Sequence, residues 1–156
     1  MRIRSATMQD HEAVMGLMQF LHPDDPTTPA SDSSAIYTDI IRSPNLVLLV
    51  AEQAGALLGS CYLNVIANLT RGGAPYAVIE NVVTHPDFRK QGIGRQLMQH
   101  AVQLAAERQC YKIMLLTGRD ESVQSFYLKC GFTRGAKTAF VMRTNNPAKG
   151  FTAEQQ

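Results

Sequence analysis

The apolar positions of this chain change period several times, and each change marks an element. Residues 1 to 6 alternate as a short strand. Thr7, with Asp10 three places on, is a helix-start signature, and Val14, Leu17, Met18 and Leu21 then share one helical face. His22 to Ser31 contains three prolines and two aspartates and reads as a loop. Ile36, Ile40 and Ile41 return to helical spacing before Pro44 ends the element. Leu46 to Ala51 and Ala56 to Ile66 are strand runs joined by a hairpin turn at Glu52 to Gly55. Arg71 to Pro75 separates them from a third run, Tyr76 to Val83. A helical stripe follows in the stretch from Ile93 to Gln109, made by Ile93, Leu97, Ala101, Leu104 and Ala105. Tyr111 to Leu116 reads as a strand, Val123 to Lys129 as a helix ended by Gly131, and Thr138 to Arg143 as a last strand. Strands and helices in this order predict an α+β fold, a mixed sheet with helices on both faces.

Composition narrows the class. With 156 residues, one domain is the default; it is expected over 1–143, with a polar C-terminal tail over 144–156. A hydrophobic content of 45% with 18% charged residues describes a globular chain. The formal charge of +2, without a Lys/Arg block, gives no reason to expect nucleic acid. No apolar run approaches the roughly 20 residues of a membrane helix, and Met1-Arg-Ile-Arg is not a signal peptide, so no membrane partner is expected. Cys61, Cys110 and Cys130 are odd in number and lack metal-ligand spacing, which fits reduced thiols in a cytoplasmic protein. His11, His22 and His100 suggest no metal site. The Asn68-Leu69-Thr70 sequon is read as incidental.

The most informative stretch is Arg89-Lys-Gln-Gly-Ile-Gly94. It follows the β-branched run Tyr76 to Val83 and opens the Ile93 helix. Glycines let backbone approach a ligand, first-turn N–H groups lack helical partners, and the helix dipole favours an anion. Arg89, Lys90 and Arg95 add positive charge around the loop. A phosphate or pyrophosphate is the expected guest. Leu97 stands where a dinucleotide fingerprint needs its third glycine, and no nucleoside-triphosphate loop is present. A plain strand-to-helix turn that merely needs glycines is the other reading of these residues alone.

Arg-x-x-Gly-x-Gly after a strand resembles the acyl-coenzyme A loop of the GNAT superfamily of N-acetyltransferases. Phe126-Tyr-Leu-Lys-Cys-Gly-Phe132 is similar to that family's Phe-Tyr-x-x-x-Gly-Phe segment. Ile79 to Val83, Cys110 to Ile113 and Phe126-Tyr127 look like the glucosamine-6-phosphate N-acetyltransferase branch. Three departures bear on the substrate: Asn81 replaces an acid preferred in that branch, the loop Thr117 to Glu121 is longer, and Asp120 stands for an asparagine before the Phe-Tyr pair. The resemblance covers about residues 2 to 143. It implies a largely antiparallel central sheet of six to seven strands and acetyl-CoA as cosubstrate, with no metal. It further implies a cytoplasmic acyltransferase acting on a small-molecule primary amine and, by family habit, a homodimer.

It also implies residue roles. Val82, Val83 and Thr84 would pair with the pantetheine arm as if with an added strand. Arg89, Lys90, Gln91, Gly92, Ile93, Gly94 and Arg95 would hold the pyrophosphate, and Asp120 would join the coenzyme contacts. Strand alternation puts Tyr76, Val78 and Glu80 on one face and Ala77, Ile79 and Asn81 on the other. A carboxylate in this apolar run is either a general base with a raised pKa or a structural group paired with an arginine. The base reading of Glu80 leads. Tyr127 is the candidate acid for the leaving thiolate, with aromatic core packing as its alternative. His85, before Pro86, reads as a turn residue. Cys130 has no activating histidine near in sequence and reads as a buried thiol rather than an acyl carrier.

The leading expectation is thus an N-acetyltransferase working by direct amine attack in a ternary complex. A non-catalytic acyl-coenzyme A sensor and acetylation of a protein amine are the alternatives. Acceptor charge points both ways: Asp24, Asp25 and Asp32 suit a cationic amine, and Arg71, Arg134 and Lys137 a phosphorylated amino sugar.

Overall fold

The computed structural model describes residues 1–118 and 121–142. Five strands form one sheet in the order β1-β2-β3-β4-β5: β1 Arg2–Ser5, β2 Leu46–Gln53, β3 Ala56–Ile66, β4 Tyr76–Thr84 and β5 Ile113–Leu115. The first four are antiparallel neighbours and β5 runs parallel to β4. The helices are α1 His11–Leu21, α2 Ala30–Arg42, α3 Ile93–Glu107 and α4 Glu121–Lys129.

Two cores explain the layers. On one face, Val14 of α1 and Tyr37 of α2 pack on Leu48 and Val50, with Met18, Ile40 and Tyr62 around them. On the other, Ile93, Leu97, Met98, Ala101 and Ala105 of α3 pack on Leu49, Cys61, Leu63, Ala77 and Ile79, and Phe126, Tyr127 and Phe132 close over the same core. Successive strand residues point to opposite faces, so Leu48 and Val50 serve one core while Leu49 and Ala51 serve the other.

The entry to α1 follows from short-range chemistry. The Asp10 carboxylate accepts the Thr7 N–H at 2.7 Å and the Thr7 hydroxyl at 2.9 Å, closing a single 3-10 turn over Met8–Asp10. The same carboxylate takes a two-pronged Arg4 guanidinium at 2.7 and 2.8 Å, and Arg4 also pairs with Glu52. This ties β1, the turn and β2 together.

Three expectations are corrected. The described residues carry five strands, not six to seven. Residues 138–142 form no strand: Phe140 is 92% exposed, Val141 and Met142 are also exposed, and no neighbouring strand supplies a ladder. Arg143, the last residue of that expected strand, lies outside the described residues, as does the expected tail. The run Tyr111 to Leu116 contributes only Ile113–Leu115 to the sheet.

Candidate functional site

The site is organised by an irregularity in β4. Tyr62 pairs with Glu80 and Ser60 with Val83, so one extra residue is inserted between those two pairs. Asn81 absorbs it with φ of 51°, in the left-handed region that asparagine tolerates better than most residues. Ala77 and Ile79 are buried in the α3-side core, and Val82 packs against it as well. Glu80, opposite Tyr62, belongs to the α1–α2 face. The alternation expected from sequence therefore holds through Glu80 and breaks at Asn81. Asn81 does not simply continue the Ala77–Ile79 row: its side chain lies close enough to the Tyr62 phenol to oppose the pKa rise that burial causes there.

The bulge coincides with the end of the β5 ladder. Ala77, Val78 and Ile79 pair with Ile113, Met114 and Leu115, and the pairing goes no further. From Glu80 to Thr84, β4 has β3 on one side and no strand on the other among the described residues. A stretch of backbone polar groups is left available to a strand-like ligand. Val82, Val83 and Thr84 all lie on it; the Val83 side chain is buried, so only its main chain can serve.

A turn at His85 and a single 3-10 turn over Pro86–Phe88 join this open edge to the glycine loop. Gly92 caps α3 with φ of 83°, and Lys90 has φ of 61°, so the chain turns left-handed twice within three residues. The first helical bond runs from the Gln96 N–H to the Gly92 carbonyl at 3.0 Å. The N–H groups of Ile93, Gly94 and Arg95 have no hydrogen-bond partner among the described residues, and no acidic residue occupies the first turn. Arg89 donates from Nε to the Thr84 carbonyl at 3.3 Å, and Gln91 donates to the Asp87 carbonyl at 3.3 Å. Arg89, Lys90 and Arg95 are exposed, and none pairs with a carboxylate among the described residues. The mouth of α3 combines unpaired donors with uncompensated positive charge, which is what an anion requires.

Two residues expected to hold ligand also hold the fold. The Ile93 side chain is buried, leaving only its N–H for binding. A Cβ at Gly94 would sit 3.2 Å from Phe126 Cζ and 3.4 Å from Thr84 Oγ1. Gly94 therefore lets α4 and the end of β4 approach the first turn of α3. Gly59 does similar service across the sheet, where a Cβ would meet the Val83 carbonyl oxygen at 2.7 Å.

Glu80 is half-buried and forms no ion pair among the described residues; desolvation raises its pKa above the ordinary glutamate value. The arginine-paired alternative has no partner here. Tyr127 lies on α4, with its ring 5.0 Å from Phe126 and 6.3 Å from Phe132, against the α3-side core. His85 follows β4, and its Nδ1 accepts the Asp87 N–H at 3.3 Å. Its ring meets Phe20 of α1 edge-on at 4.7 Å. It shapes the turn between strand and loop. Burial raises the thiols of Cys61, Cys110 and Cys130, Cys61 to about 12, opposite to what a nucleophilic cysteine needs. Asp120 lies outside the described residues. No group of three metal-ligating side chains occurs among the described residues, and no helix there is long and apolar enough to cross a membrane.

Sequence reasoning missed the bulge, Tyr62 and the packing role of Gly94. Asn81 was the available signal, an asparagine inside a β-branched run that disfavours it. Nothing in the linear sequence points to Tyr62, which reaches Glu80 only across the sheet.

Comparison with known proteins gives a consistent picture. The profile of the "Acetyltransferase (GNAT) family" matches residues 12–132. A rice (Oryza sativa subsp. japonica) protein described as a probable glucosamine 6-phosphate N-acetyltransferase 2 is 31% identical over 137 residues, covering 84% of this chain and 81% of that protein. The solved structure of a protein described as a putative acetyltransferase from Agrobacterium tumefaciens str. C58 superposes with a TM-score of 0.89 at 39% identity, covering 92% of this chain and all of that one (100%). A Trypanosoma brucei acetyltransferase superposes with a TM-score of 0.75 at 27% identity, covering 92% of this chain and 98% of the other.

Proposed function

We propose a function on the premise that this chain belongs to the GNAT acetyltransferase family, as the match over residues 12–132 shows, and is an N-acetyltransferase enzyme. The reaction is transfer of the acetyl group of acetyl-CoA to the primary amine of a small molecule, by direct attack in a ternary complex within a single domain over residues 1–143. The observation that carries this reading is the open edge of β4 from Glu80 to Thr84, followed after one short turn by the unpaired N–H groups at the start of α3.

In this reading the pyrophosphate of the coenzyme is held by the Gln91 to Arg95 backbone, with Arg89, Lys90 and Arg95 supplying charge. The pantetheine arm lies along Val82, Val83 and Thr84 and aims the thioester at the bulge. A β4 backbone N–H near Val82 stabilises the developing oxyanion, a donor of the kind whose loss costs about 3 kcal/mol. Glu80, poised by desolvation, accepts the proton of the attacking amine, directly or through water. The C–N bond forms as the C–S bond breaks, and Tyr127 protonates the departing thiolate. The raised thiols of Cys110 and Cys130 favour this direct route over an acyl-cysteine intermediate.

The test is release of free thiol from acetyl-CoA in the presence of an amine panel, paired with calorimetry of coenzyme A. Uptake of coenzyme A with amine-dependent thiol release supports the proposal. Uptake without release from any amine would leave a sensor instead, and no uptake would remove the site.

A further inference from the structure

On the Glu80 face of the sheet, between α1 and α2, lies a cavity of about 80 Å3. Its walls include Met15 and Met18 of α1, Ile36, Tyr37 and Ile40 of α2, and Tyr62 of β3, and no charged residue lines it. The hydroxyls that face it are largely engaged. Tyr37 donates to the Thr7 carbonyl at 2.8 Å and Ser33 to the Ala30 carbonyl at 3.1 Å, and the Tyr62 phenol has the Asn81 side chain beside it. What remains is apolar surface. Ile36, 54% exposed, stands at the mouth.

Tyr62 connects this cavity to the chemistry. It is the direct cross-strand partner of Glu80, and such partners hold their side chains on one face with Cβ atoms about 5 Å apart. A molecule with its nitrogen at the Glu80 carboxylate can place its substituent beside Tyr62, which also lines the space between the helices.

We infer that the acceptor is a primary amine bearing a short, uncharged aliphatic substituent, which enters the cavity between α1 and α2 while the amine meets Glu80. This rests on the acetyltransferase reading of the Glu80 cleft. The volume is about half of the ~150 Å3 cavity that takes up a benzene ring and suits a chain of about three or four carbons. A phosphate or a hydroxyl-rich sugar would lose hydration here and meet no charged partner. The cations that suit a phosphorylated sugar, Arg71, Arg134 and Lys137, are exposed and line no part of the cavity; the same holds for Asp24, Asp25 and Asp32. In the step itself the amine nitrogen bonds to the acetyl carbon, the thioester C–S bond breaks, and the nitrogen's proton passes to Glu80. An N-alkylacetamide and coenzyme A leave.

The experiment combines two readouts on the full chain. Thiol release from acetyl-CoA is measured with n-butylamine and isobutylamine against glucosamine 6-phosphate and spermidine. In parallel, the labelled methyl groups of Met15 and Met18 are followed by NMR as n-butylamine is added. The expected result is kcat/KM at least tenfold higher for the aliphatic amines, with shifts of both methionine methyls. Ile36→Glu should then raise the KM for n-butylamine at least fivefold while coenzyme A affinity is unchanged, and Ile36→Gln repeats the test should the charge disturb α2. Equal or faster turnover of glucosamine 6-phosphate or spermidine overturns the inference and keeps the enzyme. So does an unmoved KM in the Ile36 variants. If no amine releases thiol, the acetyl-transfer reading fails, and the methyl shifts alone decide the cavity: their presence upholds an aliphatic-amine site, and their absence overturns it.

Discussion

A carboxylate that gives up hydration without gaining a partner holds its proton more tightly, and Glu80 is in that position. As a base it acts when deprotonated, so kcat/KM should rise with pH along a limb displaced above the ordinary glutamate range. Glu80→Gln should lower kcat/KM tenfold or more at neutral pH and abolish that limb, with coenzyme affinity kept. The sign for stability is opposite. The folded-state pKa lies above the unfolded one, so the fold favours the protonated form and loses stability as pH rises through it. Glu80→Gln should therefore leave the melting temperature at neutral pH unchanged or higher, and a clear drop would make Glu80 structural. Tyr127→Phe separates chemistry from packing in another way. The ring contacts with Phe126 and Phe132 survive the change, so turnover should fall by about a hundredfold while the unfolding midpoint stays close to wild type. Unchanged turnover would return Tyr127 to the core. That a carboxylate interrupts the apolar Tyr76 run and a phenol stands beside Phe126 was legible in the chain. The face Glu80 occupies beyond the bulge, and its neighbour Tyr62, were not, because alternation predicts faces only along an unbroken strand.

The element that matters most is the junction of β4, the glycine loop and α3. Its helix was legible because Leu97 and Ala101 recur on one face with Ile93, and the loop because glycine is needed where φ turns positive, as at Gly92. The double use of Gly94 was not legible: it clears space for Phe126, which arrives from a segment more than thirty residues later. Since Arg89 and Arg95 are exposed, reversing both charges should spare the fold and act on the ligand. Coenzyme A affinity measured by calorimetry should fall at least about tenfold, a loss of about 1.4 kcal/mol, and the wild-type affinity should weaken with added salt. Uptake that ignores both changes would deny the loop its role. The strand expected at Thr138 to Arg143 shows the opposite case. Its composition favours a strand, yet residues 138–142 have no ladder partner, and a strand propensity without pairing gains neither hydrogen bonds nor burial.

For the whole molecule, the Arg4, Asp10 and Glu52 cluster joins the first strand to the helical layer and to the far end of β2. Hydrogen bonds from Arg4 hold the Asp10 carboxyl well below the ordinary aspartate range. A depressed folded-state pKa gives stability that is present above the unfolded value, near 4, and is lost as pH falls towards the folded one. Asp10→Asn should thus cost about 1–3 kcal/mol in urea unfolding at neutral pH, with the deficit shrinking below about pH 4. An unchanged midpoint would show that the cluster holds nothing together.

By itself the sequence determined the order of elements as far as α4, the apolar faces of the helices and the anion-suited mouth of α3, since each depends on residues near one another along the chain. It also carried the resemblance that the family match bears out. Only the tertiary structure decided where β4 parts from β5, that Asn81 turns the strand, and that Glu80 shares a face with Tyr62 and the cavity beyond it. Those features arise from pairings between distant segments, whose register is set by packing on both sides of the sheet and not by any local spacing.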